Sequence, residues 1–235
     1  MINISIIIPT LNEEKYLNKT LKALKQQIKK GDEIIIVDSY SKDDTIKIAK
    51  KYGAKIFYIS RCGIGPAKNF GAKKAKNKII AMLDADGVPQ KEWLDRIRTH
   101  FKENIEGVAG LGYYESNSKL RKVIYNLVSW CVFQFARINY HIIKLPWMPV
   151  NDSAIKKNIL IRYGGLRNVV CEDLDFAKRA KGIKIKYDPK MKVILSDRRF
   201  KKEGFLKTLF LWLKSDIAIL INKNKMKATS YRVVR

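Results

Sequence analysis

Histidine and cysteine are scarce in this 235-residue chain, which has two of the first and three of the second. Cys62, Cys131 and Cys171 stand far apart, their number is odd, and no CxxC pair or His/Cys cluster occurs. Neither a zinc site nor a disulfide framework is therefore expected, and free thiols fit a reducing compartment. Acidic residues are also few: 22 Asp and Glu face 48 Lys and Arg, a formal net charge of +26. That balance favours nucleic acid, anionic lipid or phosphorylated substrates as partners, although a lysine-coated, solvated surface accounts for much of it equally well. No run of about 18 uninterrupted apolar residues appears, so no transmembrane span is expected. Met1-Ile2-Asn3 leads straight into a short strand, so no signal peptide is expected either. With 46% hydrophobic and 30% charged residues, the chain is neither disordered nor a membrane bundle. Its length suits one large domain with a core of its own.

The first hundred residues alternate strand and helix. Ile4-Ser5-Ile6-Ile7-Ile8 is an apolar run stopped by Pro9, the pattern of a buried parallel strand. Further strands are expected at 33–37, ending on Asp38, at 55–59 and at 79–83. Leu17, Leu21 and Leu24 share one helical face. A second helix opens at Asp43-Asp44-Thr45 and stops at Gly53. Pro66 suits the first turn of a third, running to about Ala75, and Trp93, Leu94, Ile97 and Phe101 mark a fourth. Such repeated units predict an α/β fold, a parallel sheet covered by helices on both faces. Later, 107–114 reads as a strand, and 120–143 as a long apolar and aromatic stretch interrupted by Arg121, Lys122, Arg137 and Lys144. Segments 183–187 and 191–195 read as two strands separated by Asp188-Pro189, and 204–221 as a helix. Residues 222–235 read as a basic, loosely held tail. Without repeats or a low-complexity linker, one domain is expected: a body over 1–200, and an amphipathic helix and basic tail of the same domain over 201–235.

Three strand ends carry polar residues: Pro9-Thr10-Leu11-Asn12-Glu13-Glu14, Val37-Asp38-Ser39-Tyr40-Ser41-Lys42-Asp43-Asp44-Thr45, and Leu83-Asp84-Ala85-Asp86. Parallel strands set these ends side by side, where open α/β sheets bind ligands. Asp84 and Asp86, one residue apart, are hard-oxygen donors for a divalent cation, and a cation at a strand end is a common way to hold a diphosphate. Each feature has a plainer use. Asn12 and Asp43 suit helix N-caps, Asp84 and Asp86 suit a solvated turn, and Glu172 with Asp173 suits the first turn of a helix.

These segments, followed in order by Gly164-Gly165-Leu166, Glu172-Asp173-Leu174-Asp175-Phe176 and Arg198-Arg199-Phe200, resemble a family 2 glycosyltransferase of the GT-A fold over about residues 4–200. The resemblance implies a Rossmann-like, mostly parallel sheet flanked by helices, with a helical C-terminal appendage. It implies an inverting enzyme that moves a sugar from a nucleotide-diphosphate-sugar to a hydroxyl acceptor. Pro9, Thr10, Glu13, Asp38 and Ser39 would grip the base and ribose, whose N–H and hydroxyl groups are donors to carboxylates. Lys68, in Gly65-Pro66-Ala67-Lys68-Asn69, would reach a ribose or phosphate oxygen, or is an exposed helix lysine. Asp84-Ala85-Asp86 resembles the DxD motif: Asp86 would bind Mn²⁺ or Mg²⁺ directly, and Asp84 the ribose, the metal or a metal-bound water. Asp173 matches the family's base, with Glu172 as its neighbour, and Arg198 and Arg199 would clamp the departing diphosphate. The Gln-x-x-Arg-Trp form of processive members is missing, which favours transfer of single sugars.

Many relatives of this kind act on lipid-linked or cell-surface acceptors. Trp130, Trp147 and Trp212, with the lysines and arginines around them, suit peripheral binding to anionic headgroups on the cytoplasmic side of a membrane. An ordinary core with a homodimer interface is the alternative. Other functions compete. A nucleotidyltransferase would carry a Gly-rich basic loop after the first strand, where this chain is acidic. A nucleic-acid-binding protein would concentrate its lysines in a stripe, whereas here they spread along the chain, so no specific nucleic acid is expected. A related fold without activity is the third.

Overall fold

Isoleucine at four of the seven positions of the first strand makes it apolar on both faces, and the sheet is built around it. The computed structural model describes residues 2–221, so the expected basic tail at 222–235 lies outside the described residues. The elements are β1 (Ile4–Thr10), α1 (Glu14–Lys25), β2 (Glu33–Asp38), α2 (Thr45–Lys51), β3 (Lys55–Tyr58), α3 (Ile64–Lys74), β4 (Ile79–Leu83), β5 (Val88–Pro89) and α4 (Trp93–His100). They continue with β6 (Gly107–Glu115), α5 (Lys119–Ile143), β7 (Asp152–Lys156), α6 (Lys157–Arg162), α7 (Glu172–Arg179), β8 (Ile185–Ser196), α8 (Arg198–Glu203) and α9 (Phe205–Leu220). Among the described residues the strands form one sheet in the order β3-β2-β1-β4-β7-β6-β8-β5. The pairs β1–β2, β1–β4, β2–β3 and β6–β8 are parallel, while β7 runs against β4 and β6, and β5 against β8.

The alternation of strand side chains divides the core into two layers. Ile4, Ile6 and Ile8 face Leu17, Leu21 and Leu24 of α1 and Trp93, Leu94 and Ile97 of α4. Ile7, Ile35 and Val37 face Ala67 and Ala72 of α3, Leu160 of α6 and Phe176 of α7. The expected sheet with helices on both faces is present, with β7 and β5 as its reversed strands.

Four strands depart from expectation, the two-residue β5 among them, since no apolar run marks Val88-Pro89. β1 does not stop at Pro9: pairing with β2 continues through Pro9↔Val37 to Thr10↔Asp38, while pairing with β4 ends at Ile7↔Met82. β7 was not anticipated, because Asp152-Ser153-Ala154-Ile155-Lys156 is short and opens on a carboxylate. That carboxylate is fully buried and accepts the indole N–H of Trp93 at 2.7 Å. Burial holds its pKa well above the usual range. Finally, the two strands expected either side of Asp188-Pro189 are one. The ladder to β6 jumps from Ala109↔Tyr187 to Leu111↔Lys192, a bulge that absorbs the aspartate and proline.

Asp188 pins that bulge. It accepts Nε and Nη2 of Arg96 at 2.6 and 2.9 Å and lies 2.7 Å from Nε2 of His100. Burial opposes its ionisation, but these partners outweigh burial and hold the carboxyl well below its usual range. Removing one member of such a buried pair strands the other. Asp188→Ala is therefore expected to lower the unfolding free energy by about 3 kcal/mol, read from chemical denaturation, with Asp188→Asn intermediate.

Candidate active site

Six strands point the same way, and their carboxyl ends bring distant segments to one edge. Thr10, the last residue of β1, donates its hydroxyl to Asp38 Oδ1 at 2.8 Å. Asp38, the last residue of β2, is buried and also accepts the backbone N–H and hydroxyl of Ser41 at 2.7 and 2.6 Å. Ser39 turns the chain there, its N–H donating to the Thr10 carbonyl at 2.9 Å. The two following loops are stitched together. Asn12, in the left-handed region at φ 54°, accepts the Lys42 N–H at 2.8 Å. Asp43 accepts the N–H groups of Glu14 at 3.1 Å and Thr45 at 3.0 Å, and so caps the first turns of both α1 and α2. Asn12 is not a cap. Beside Asp38, exposed Tyr40 and Tyr58 stack with ring centroids 5.6 Å apart.

β4 delivers Asp84 and Asp86 to the same edge, and two cations meet them. Lys68 of α3, only 1% exposed, donates to Asp84 Oδ1 at 2.6 Å and to the Val150 carbonyl at 2.5 Å. The exposed-lysine alternative is thus excluded: α3 aims this side chain into the protein. Arg198, just beyond β8, forks onto both oxygens of Glu13 at 2.7 and 2.9 Å. Its Nε lies 2.8 Å from Asp86 Oδ2, and its guanidinium lies 4.7 Å over the Tyr16 ring. Burial raises the pKa of Glu13 and of Asp86, and Arg198 offsets part of that in each. Ala85 between the aspartates is buried, and its carbonyl accepts the Thr20 hydroxyl at 2.8 Å, which fixes the turn. Arg199 points elsewhere: it pairs with Glu203 on its own helix at 2.9 Å.

The donor set suits a hard divalent cation held by one or two carboxylates and completed by phosphate oxygens and water. Among the described residues no group of three or more His, Cys, Asp or Glu stands ready to enclose a metal alone. Asp84 is the more open of the two carboxylates.

Glu172 and Asp173 open α7 at the same edge, positioned by a brace behind them. Asn69 of α3 clamps the backbone of Leu166, donating to its carbonyl at 2.7 Å and accepting its N–H at 2.8 Å. Gly165, at φ 65°, passes so close that a Cβ would lie 2.6 Å from Asn69. Arg179 of α7 ties Asp175 at 2.8 Å and the Gly165 carbonyl at 2.7 Å. Asp173 Oδ1 accepts the Leu174 N–H at 2.8 Å, and its carboxylate also accepts a hydrogen bond from the Trp147 side chain. Desolvation and then the charge of Asp173 push Glu172 up to about 7, and both Lys68 and Asp84 act on it electrostatically. Desolvation also raises Asp173. A further carboxyl, Asp216 of α9, is pushed up to about 6 by burial, accepts a hydrogen bond from Cys171 and feels Asp173.

The structure therefore gathers Pro9, Thr10, Glu13, Asp38, Ser39, Lys68, Asp84, Ala85, Asp86, Glu172, Asp173 and Arg198 at this edge, and turns Arg199 along α8. The Tyr40–Tyr58 stack and Asp216 went unnoticed in the sequence. An aromatic in each of two adjacent strand-end segments was the signal for the pair. Nothing local marked Asp216, which reaches the site only through the packing of α9.

The description "Glycosyl transferase family 2" belongs to a family model that matches residues 5–169. The chain belongs to glycosyl transferase family 2. Within this family, it is 39% identical over 100 residues to the glucosyl-3-phosphoglycerate synthase of Petrotoga mobilis, across 40% of this chain and 29% of that protein. It is 31% identical over 135 residues to the poly(ribitol-phosphate) beta-N-acetylglucosaminyltransferase TarS of Staphylococcus aureus, across 51% and 24%. The chain thus matches under a third of the length of either relative. A mannosyltransferase from Pyrobaculum calidifontis, solved in complex with GDP-Man and Mn²⁺, is similar with a TM-score of 0.71 over 96% of this chain and 66% of that one, at 17% identity. A Mycobacterium tuberculosis glucosyl-3-phosphoglycerate synthase in complex with Mn²⁺, UDP and phosphoglyceric acid reaches 0.67 over 95% and 79%, at 18% identity. These likenesses establish the GT-A fold.

The raised carboxyls make a pH prediction for this family 2 member. Glu172 binds its proton more tightly folded than unfolded, so the folded state loses stability as pH rises from about 4.5 to about 7. The loss is at most about 3 kcal/mol, less whatever solvent screens for a half-buried group. Glu172→Gln is expected to raise the melting temperature relative to the parent at pH 8 and to leave it nearly unchanged at pH 4.

Proposed function

We propose that this protein is an inverting glycosyltransferase that moves one sugar per event from a nucleotide-diphosphate-sugar to a hydroxyl of a glycan or lipid-linked acceptor, using Mn²⁺ or Mg²⁺. The observation that carries this reading is the meeting, at one sheet edge, of the Thr10–Asp38 pair, the Asp84–Asp86 pair and the Glu172–Asp173 pair. The nucleotidyltransferase alternative is disfavoured by the segment after β1, which presents Glu13 and not a basic loop.

In this reading Asp38 and Thr10 receive the nucleoside, with the Tyr40–Tyr58 stack as a flat apolar neighbour for the base. Asp86 holds the divalent cation, with Asp84 beside it. Bound there, the cation supplies positive charge to the diphosphate as negative charge develops on the leaving group. Arg198 adds forked donors on the same side, exchanging part of its hold on carboxylate for phosphate. Lys68 keeps Asp84 in place. Asp173 accepts the proton of the acceptor hydroxyl, its orientation fixed by the Leu174 N–H and Trp147. A single base and attack opposite the leaving group invert the anomeric carbon. Acceptors carried on lipid place the work at the cytoplasmic side of a membrane.

A thermal-shift screen of nucleoside diphosphates and nucleotide-sugars, with and without Mn²⁺, tests the reading. Metal-dependent stabilisation by at least one nucleotide is expected, and its loss in Asp86→Ala. Asp173→Asn should keep that stabilisation and lower transfer at least about a hundredfold. Full transfer in Asp173→Asn would remove it as the base, and no nucleotide response would remove the reading as a whole.

A further inference from the structure

We propose that the outward faces of α5 and α9 form one docking surface for an anionic lipid bilayer, bordering the acceptor side of the site. The large apolar side chains left exposed concentrate on these two helices: ten lie on α5 and five on α9. On α5, Leu127, Phe135 and Ile138 are 60%, 60% and 54% exposed, and they recur at helical spacing on one face. The opposite face buries Tyr125, Phe133 and Ala136. On α9, Leu206, Phe210 and Leu213 are 78%, 71% and 58% exposed, while Thr208, Ser215 and Ile219 are buried. A ring contact and a shared buried cluster bring the two helices near each other. Phe205 at the start of α9 lies 4.7 Å from the Tyr125 ring, and Ile219 near its end packs with Leu145, just past α5.

Charge selects the occupant. α5 has no Asp or Glu, and exposes Lys119, Arg121, Lys122 and Arg137 around its apolar stripe. α9 exposes Lys207 and Lys214, and its one acidic residue, Asp216, is bonded inward to Cys171. A second copy of the chain would bring these cationic helices against each other, in a protein of net charge +26. An anionic bilayer satisfies both features, taking the apolar stripes into its interface and the lysines and arginines against its headgroups. Neither helix crosses it, since no helix of the described residues is long and apolar enough to do so.

The surface also adjoins the candidate base. Phe135 lies 6.4 Å from the Trp147 ring, and Trp147 bonds Asp173. On the α9 side, Cys171 Sγ lies 3.8 Å from the Trp212 carbonyl. A hydroxyl carried on a lipid at this surface would approach Asp173. That last step rests on the proposed transfer; the docking itself does not.

Flotation with phosphatidylcholine vesicles, with and without phosphatidylglycerol, tests the docking without turnover. The full chain should float with the phosphatidylglycerol vesicles at low salt and be released by high salt. The double variant Phe135→Glu/Phe210→Glu should lower the bound fraction at least about tenfold, with the parent's circular dichroism spectrum and cooperative unfolding retained as a check on folding. Protein that stays unbound at low salt would overturn the proposal. So would a double variant that floats like the parent. A dimer that the double variant splits, without vesicle binding, would assign the surface to a second copy instead.

Discussion

Carboxylates gathered at one edge of a sheet repel each other and resist burial, and here two cations make the gathering possible. Lys68, almost fully buried, takes Asp84. Arg198, 185 residues from Glu13 in sequence, joins Glu13 to Asp86. The three carboxylates and two cations leave this cluster one positive charge short of neutrality, a small deficit for so acidic an edge. Removing either cation would leave a desolvated carboxylate without its partner, the costly half of a buried pair. The same deficit is what a divalent cation and a diphosphate would meet on entering together.

The second requirement is rigidity on the far side of the edge. The Glu172–Asp173 pair stands on a short helix, which alone would place a carboxylate loosely. The Gly165 loop, held by Asn69 from one side and Arg179 from the other, fixes the start of α7 against α3. Since α3 also carries Lys68, one helix sets both the partner of Asp84 and the distance to the candidate base. The substitutions that Gly165 forbids are therefore also ones that would shift the acidic pair relative to the Asp84-Ala85-Asp86 turn.

Much of this arrangement could be read from residues alone, and the reason is physical. Runs such as Ile79-Ile80-Ala81-Met82-Leu83 leave no option but a buried strand, so the polar residues that end them had to meet at one edge. Where that logic weakened, so did the reading. β7 begins on a buried, raised-pKa carboxylate and shows no apolar run. β8 looked like two strands because a proline falls in its bulge, and only Arg96 and His100, from a distant helix, reveal why Asp188 belongs inside it. Lys68 has the composition of a surface lysine, and its burial depends on the Val150 carbonyl 82 residues away. Arg198 and Arg199 are adjacent and chemically alike, and helix geometry alone separates them: one faces the carboxylates, the other its own Glu203. Asp216 arrives through tertiary packing that no local pattern encodes.

The whole scheme depends on the turn at Asp84-Ala85-Asp86 being the place where cation and diphosphate are held together. Anomalous diffraction from crystals soaked with Mn²⁺ and a nucleoside diphosphate would locate both. The expected result is a manganese peak bonded to the Asp86 carboxylate and to phosphate oxygens, with the nucleoside lying against Asp38. A nucleotide bound elsewhere, or manganese found away from Asp86, would contradict it.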